Sequence, residues 1–145
     1  MIRFKTPFLI NKILDWRGTS LAARFALVLV YLVSAVGHLS DFGAAVVEQA
    51  SYGLPAPELM AALTIGVEIA GPVLILTGRL VWLGSGMLGV FTALGAVLAH
   101  PFWTIQGPTR FDALASFLEH VGLVGGLVLV ALVAHRPDQK ESRNV

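Results

Sequence analysis

Four long apolar stretches dominate this sequence and limit what the chain can fold into. They cover residues 21–38, 58–77, 80–100 and 111–134, and none contains a Lys or Arg except for Arg24 in the first. About 20 consecutive apolar residues cross the hydrocarbon core of a bilayer as a helix. Only 13% of the residues are charged, about half the fraction typical of soluble domains. Because lipid offers backbone amides no other partner, the pattern predicts an all-α, integral membrane four-helix bundle.

The segments outside the bundle are short. Residues 1–20 place Leu9 and Ile13 at helical spacing among basic residues, which favours a short N-terminal amphipathic helix at the membrane interface; a structureless basic tail is the alternative. Residues 21–134 form the predicted transmembrane domain, and residues 135–145 form a polar tail. The first loop is predicted to contain a short helix over residues 42–50.

The basic residues predict the orientation in the membrane. Nine of the ten Lys and Arg residues lie in the two termini, near the start of the first span or in the turn at Arg79. Only Arg110 lies on the opposite side. Loops rich in Lys and Arg remain in the cytoplasm, so both termini are predicted to be cytoplasmic. The formal net charge is only +1, which gives no indication of nucleic acid as a partner.

Ionisable and aromatic side chains gather toward the predicted outer half of the bundle. Helical rise places Glu68 about 15 Å and Glu119 about 12 Å from the outer ends of their helices. A charged group at the bilayer centre costs about 2.5–3.5 kcal/mol on insertion scales, so these carboxyls need partners or water. We therefore predict one polar pocket, with Tyr31 and Trp103 as aromatic walls. Its members are His38, Glu68, His100, Glu119, His120, Tyr31 and Trp103.

Several kinds of chemistry fit such a pocket. The side chains could form a structural hydrogen-bond network between helices, bind a quinone headgroup through carboxyl and imidazole protons, or line a proton or solute path. We expect no metal site, since the histidines come from different helices and lack short ligand spacing. The chain has no cysteine, which excludes disulfides and thiolate chemistry. Whether the chain is an enzyme is left open.

Small residues predict where helices approach one another. Gly89 lies on a ridge of small residues in the third span, and Gly122 and Gly126 form a GxxxG pair in the fourth. Such ridges allow close helix packing in membranes. They could join the helices of this chain, a homo-oligomer, or other membrane protein subunits.

Several motifs stand out in the sequence: Arg24, Gly37-His38, GLPAP at Gly53–Pro57, VEIAGPVLILTGR at Val67–Arg79, HPFW at His100–Trp103 and FLEHVGLVGGLVL at Phe117–Leu129. Together they resemble the DoxX family of four-span bacterial membrane proteins. The resemblance covers roughly residues 20–133 and implies an inner-membrane protein. The family takes its name from a subunit associated with a thiosulfate:quinone oxidoreductase, and distant relatives are assembly factors. The resemblance implies a small subunit of a quinone-linked or respiratory redox complex, or alternatively a non-catalytic accessory or assembly subunit that stabilises a larger membrane complex.

Overall fold

The computed structural model describes the backbone of residues 6–142 and the side chains of residues 6–135. This part of the chain is helical and contains no strand. Four helices are long and apolar enough to cross a membrane, which confirms the predicted all-α bundle. The helices are α1 (Phe8–Asp15), α2 (Arg17–Ser40), α3 (Phe42–Ser51), α4 (Pro57–Thr77), α5 (Val81–Ala99) and α6 (Thr109–Ser142).

Helix α1 is the short amphipathic helix that the N-terminal pattern predicts. None of its residues is buried. Phe8, Leu9 and Ile13 all remain exposed, so its apolar side is not used for packing against the bundle. Such a helix can lie with that side in the headgroup layer of a membrane.

Helix α3 begins directly after α2 and folds back over the bundle. Asp41 separates the two helices, and its carboxylate accepts a 2.9 Å hydrogen bond from the backbone N–H of Ala44, as an N-cap does. Ala45 and Gln49 are buried, and α3 packs mainly on α4. The predicted helix over residues 42–50 is confirmed to within one residue.

The four long helices pack in chain order. Helix α4 packs against both α2 and α5, and α5 packs against α6. A three-residue turn joins α4 to α5, and Gly78 adopts a left-handed conformation there with φ at 74°. We call the end of the bundle with this turn the terminal end, and the end covered by α3 the loop end. The core between the helices contains Val28, Tyr31, Ile75, Val81, Leu88 and Leu127.

Two glycines bring α4 and α5 close together. A Cβ added at Gly71 would lie 2.5 Å from Cγ of Leu88, and one at Gly84 would lie 2.8 Å from the carbonyl oxygen of Gly71. The second contact is with backbone, which cannot move aside. Pro72 is also buried within α4. The tightest packing therefore lies between the second and third spans rather than at the predicted glycines.

Helix α6 is packed on one side only. Just 6% of its most apolar window is buried, and Leu127 is its only buried residue among those with described side chains. A Cβ at Gly126 would lie 3.0 Å from Cδ1 of Leu27, so α6 meets α2 there. The helix continues into the predicted polar tail as far as Ser142.

Candidate functional site

Three polar side chains on one stripe of α2 face the protein. Arg24, Tyr31 and His38 are seven residues apart and therefore lie nearly in line along the helix. The Arg24 guanidinium donates a 3.3 Å hydrogen bond to the carbonyl oxygen of Ile75, near the end of α4. The hydroxyl of Tyr31 bonds to Thr92 on α5. Since Thr92 itself donates to the carbonyl oxygen of Leu88, Tyr31 is the donor in this pair.

The third residue of the stripe contacts the most deeply buried acid. Glu68 lies in the middle of α4 and is only 2% exposed. Nδ1 of His38 lies 2.9 Å from its Oε2 atom. A carboxyl group inside a bundle needs such a partner, because an unpaired buried charge is strongly destabilising. The predicted pocket residues His38 and Glu68 are therefore in direct contact.

Helix α3 extends this pair toward the loop end. Nε2 of His38 lies 3.2 Å from Oε2 of Glu48, and the Tyr52 hydroxyl donates a 2.9 Å bond to Oε1 of Glu48. Burial, together with the hydrogen bond to the neighbouring Glu48 carboxylate and its negative charge, raises the pKa of the Tyr52 hydroxyl to about 12. We call Glu68, His38, Glu48 and Tyr52 the acid–histidine chain. Glu48 and Tyr52 were not among the residues predicted for the polar pocket.

The His38 ring lies between two carboxylates, and this position determines the chemistry of the acid–histidine chain. A neutral imidazole has one N–H and can donate to one carboxylate only, whereas an imidazolium donates to both. Carboxylates on both sides therefore stabilise a protonated ring. The ring can also receive a proton on one nitrogen and release one from the other. This arrangement connects a buried acid on α4 with a half-buried acid on α3.

A second group of polar side chains lies between α5 and α6. The ring centroids of His100 and His120 are 4.9 Å apart. Nδ1 of His120 lies 2.8 Å from the carbonyl oxygen of Ser116, so this nitrogen carries the proton. Burial lowers the pKa of His100, the nearby His120 lowers it further, and the Glu119 carboxylate partly opposes both.

An aromatic cluster lies beside this histidine pair. Phe102, Trp103 and Phe117 contact one another with ring centroids 5.1–6.0 Å apart. Trp103 is 52% exposed. Its exposed ring is also typical of the aromatic belts that flank membrane spans.

The predicted single pocket is divided in the structure. Within the described side chains, no hydrogen bond or ring contact joins the acid–histidine chain to His100 or His120. Tyr31 is bonded to Thr92 instead. Glu119 is exposed on α6, although the sequence predicted it as a member of the polar pocket. No group of three potential metal ligands occurs among the described residues.

The predicted packing glycines also differ from one another. Only Gly126 makes a close approach within the chain; a Cβ at Gly89 or Gly122 would meet nothing within 4 Å. Gly122 is exposed on α6. These two glycines therefore leave open surface where the sequence predicted contact.

Comparison with known proteins gives the family. The chain is 29% identical over 113 residues to the inner membrane protein YphA of Escherichia coli (strain K12), covering 77% of this chain and 80% of that protein. No solved structure matches the chain. The sequence model of the DoxX family matches residues 19–101, which include α2 except for its first two residues, all of α3 to α5 and the whole acid–histidine chain. The chain is thus a small membrane protein that belongs to the DoxX family.

Proposed function

We propose that this protein is a small inner-membrane subunit of a quinone-linked or respiratory redox complex, with both termini in the cytoplasm. Its role is to bind a quinone, or to shape a quinone site, and to supply protons to the quinone. The observation that carries the proposal is the acid–histidine chain, in which His38 contacts Glu68 at 2.9 Å and Glu48 at 3.2 Å. The inner-membrane location follows the named location of YphA.

The proton transfer would proceed through His38. For each of the two protons that a quinol needs, Glu48 would give a proton to Nε2 of His38, and Nδ1 would give its proton to Glu68, which would donate to a carbonyl oxygen of the quinone. Before the second transfer, the 43% exposed Glu48 would regain a proton from water and His38 would return to its first tautomer. Reduction of a quinone to a quinol requires two electrons with two protons. The electrons come from a redox protein of the complex, since this chain has no cysteine and supplies only proton-transfer groups.

The histidine pair and the aromatic cluster favour a headgroup site at the same end of the bundle. Quinone sites combine flat apolar walls with a few hydrogen-bonding groups. Phe102, Trp103 and Phe117 offer the walls. The ring of His120 has its Nδ1 bonded to Ser116, which leaves Nε2 to accept a hydrogen bond from a hydroxyl of the reduced quinol.

Quinone retention tests this proposal. Protein purified in mild detergent is extracted with organic solvent, and quinone per chain is measured. We expect close to one quinone per chain, and a several-fold lower value for Glu68→Gln. Glu58→Gln is the matched control, because Glu58 lies in the exposed first turn of the same helix. Extraction of phospholipid alone from the unmodified protein would refute quinone binding.

One observation favours the accessory role as a second candidate. Leu118, Gly122, Gly125 and Leu129 are all exposed on α6, and their alternating spacing of four and three residues is typical of helix–helix seams. Glu119 lies beside this stripe at membrane depth, where an uncovered carboxyl is unfavourable. A neighbouring transmembrane helix would cover both.

Substitution of the stripe separates the two roles. If the protein is an accessory subunit, the double variant Gly122→Ile with Gly125→Ile should no longer co-purify with its membrane complex, whereas Gly66→Ile should still do so. Gly66 is the control because it too is exposed and has no neighbour within 4 Å of an added Cβ. Unchanged co-purification in the double variant would exclude this face as the docking surface.

A further inference from the structure

A long apolar groove lies between α5 and α6 at the terminal end, away from the acid–histidine chain. Its volume is about 810 Å³, within the range of small-molecule sites. The α5 side consists mainly of small residues, and the α6 side of aliphatic ones. The groove is lined from α5 by Ser85, Gly86, Gly89 and Ala93, and from α6 by Val124, Val128, Ala131 and Leu132.

The glycines on the α5 side leave this groove open. A Cβ added at Gly86 or Gly89 would have no neighbour within 4 Å. This differs from Gly84 on the same helix, whose missing Cβ is required for contact with α4. Gly86 and Gly89 therefore do not bring two helices of this chain together. They provide shallow space along the side of α5.

The groove contains an unsatisfied polar group. Ser85 is 4% exposed, and its Oγ atom has no hydrogen-bond partner among the described residues. Thr92 offers a direct comparison, because it lies two turns further along the same side of α5. Its hydroxyl bonds to both Tyr31 and Leu88. Buried hydroxyls are nearly always paired, so the Ser85 hydroxyl indicates a partner from outside the described part of the chain.

The position of the groove indicates the chemistry of that partner. Trp82 and Val90 at its edge are 66% and 63% exposed on a membrane-spanning helix, so the groove opens toward lipid. It extends from Leu80 to Ala93, or about 20 Å by helical rise, comparable with the hydrocarbon of one leaflet. Ser85 lies about 6 Å from the start of α5, near the depth of lipid ester groups.

We propose that this groove is a binding site for a bilayer phospholipid. One acyl chain lies along Gly86, Gly89 and Ala93, and the Ser85 hydroxyl donates a hydrogen bond to the ester carbonyl of that chain. The phosphate lies beyond the end of α5, where Arg79 is exposed between the groove residues Gly78 and Leu80. The guanidinium supplies the complementary charge.

Native mass spectrometry with phosphatidylglycerol as the probe tests the proposal. The protein is purified, delipidated in detergent and titrated with this lipid, and the bound fraction is measured. We expect Gly89→Leu, which fills the groove, to abolish saturable binding of one lipid. Ser85→Ala should weaken binding about tenfold, the effect of one lost hydrogen bond. Arg79→Gln should weaken it less at high salt than at low salt.

Matched controls separate a specific site from general lipid contact. Gly66→Leu places the same side chain at an exposed glycine of α4, and Ser34→Ala removes a hydroxyl from α2; both should bind as the unmodified chain does. Equal binding by Gly89→Leu and the unmodified chain would overturn the proposal, as would equal losses in Gly89→Leu and Gly66→Leu. An unchanged affinity of Ser85→Ala would overturn the assigned carbonyl contact.

Discussion

Replacement of His38 by Leu should destabilise the bundle far more than replacement of its partly exposed partner Glu48 by Gln. The imidazole contacts two carboxylates in different surroundings. The side chain of Glu68 is 3% exposed, and that of Glu48 is 43% exposed. Removing one partner of a buried pair costs about 3–5 kcal/mol, whereas an exposed pair contributes about 0.2–1 kcal/mol. We therefore expect His38→Leu to cost about 3–5 kcal/mol and Glu48→Gln at most about 1 kcal/mol.

The double variant His38→Leu with Glu68→Leu tests the reason for this difference. Most of the cost of His38→Leu comes from leaving Glu68 buried without a partner. Replacing both members by apolar side chains removes that charge, and such replacements are often neutral or stabilising. The double variant should therefore be more stable than His38→Leu alone, with a coupling energy of about 2–3 kcal/mol, within the range of contacting residues.

Unfolding in mixed detergent micelles, followed by helical circular dichroism, provides the free energies for four variants, which are Glu48→Gln, His38→Leu, Glu68→Leu and the double variant. Equal costs for His38→Leu and Glu48→Gln would contradict the asymmetry of burial. Additive effects of His38→Leu and Glu68→Leu would show that the two side chains are not coupled, and the acid–histidine chain would lose its central contact.

Three further predictions follow from other contacts. In a Tyr31→Phe background, ultraviolet absorbance should show that Tyr52 ionises near pH 12, and at a lower pH when Glu48→Gln is added. The pKa of Tyr52 in the folded protein exceeds the ordinary value of about 10. Its contribution to stability is therefore complete below pH 10 and is lost as the pH rises toward 12. A Tyr52 transition at pH 10 would contradict this burial. Arg24→Met should lower the unfolding free energy by about 1.5–3 kcal/mol through loss of the charged hydrogen bond to Ile75, and an unchanged value would show that bond to be unimportant. Gly84→Ala should cost about 1–3 kcal/mol by overpacking α4 against α5, while Gly86→Ala, with no neighbour within 4 Å, should be near neutral in the same assay.

The sequence predicted the helices well and their contacts less well. The seven-residue spacing of Arg24, Tyr31 and His38 placed all three on one face of α2, and each contacts α3, α4 or α5. Periodicity shows on which face of a helix a residue lies, but it does not show which side chain of another helix contacts that residue. For this reason Glu48 was not identified: its contact with His38 depends on α3 folding back over the bundle end.

The glycines also show that the sequence predicted possible contacts but not the actual ones. A glycine in an apolar stretch marks a place where close approach is possible, but Gly71 and Gly84 make that approach within the chain and Gly89 and Gly122 do not. The separation of His100 and His120 from the acid–histidine chain was likewise invisible in the sequence, because it depends on which helices are neighbours.

The sequence by itself determined the spanning helices, since apolar stretches of this length in lipid must satisfy their backbone hydrogen bonds internally. Tertiary structure alone decided that Glu68 is paired, that Glu119 faces outward and that Ser85, in a groove, has no hydrogen-bond partner among the described residues. The physical reason is that helix formation is local, whereas pairing and burial depend on the rotation and depth at which one helix packs against another.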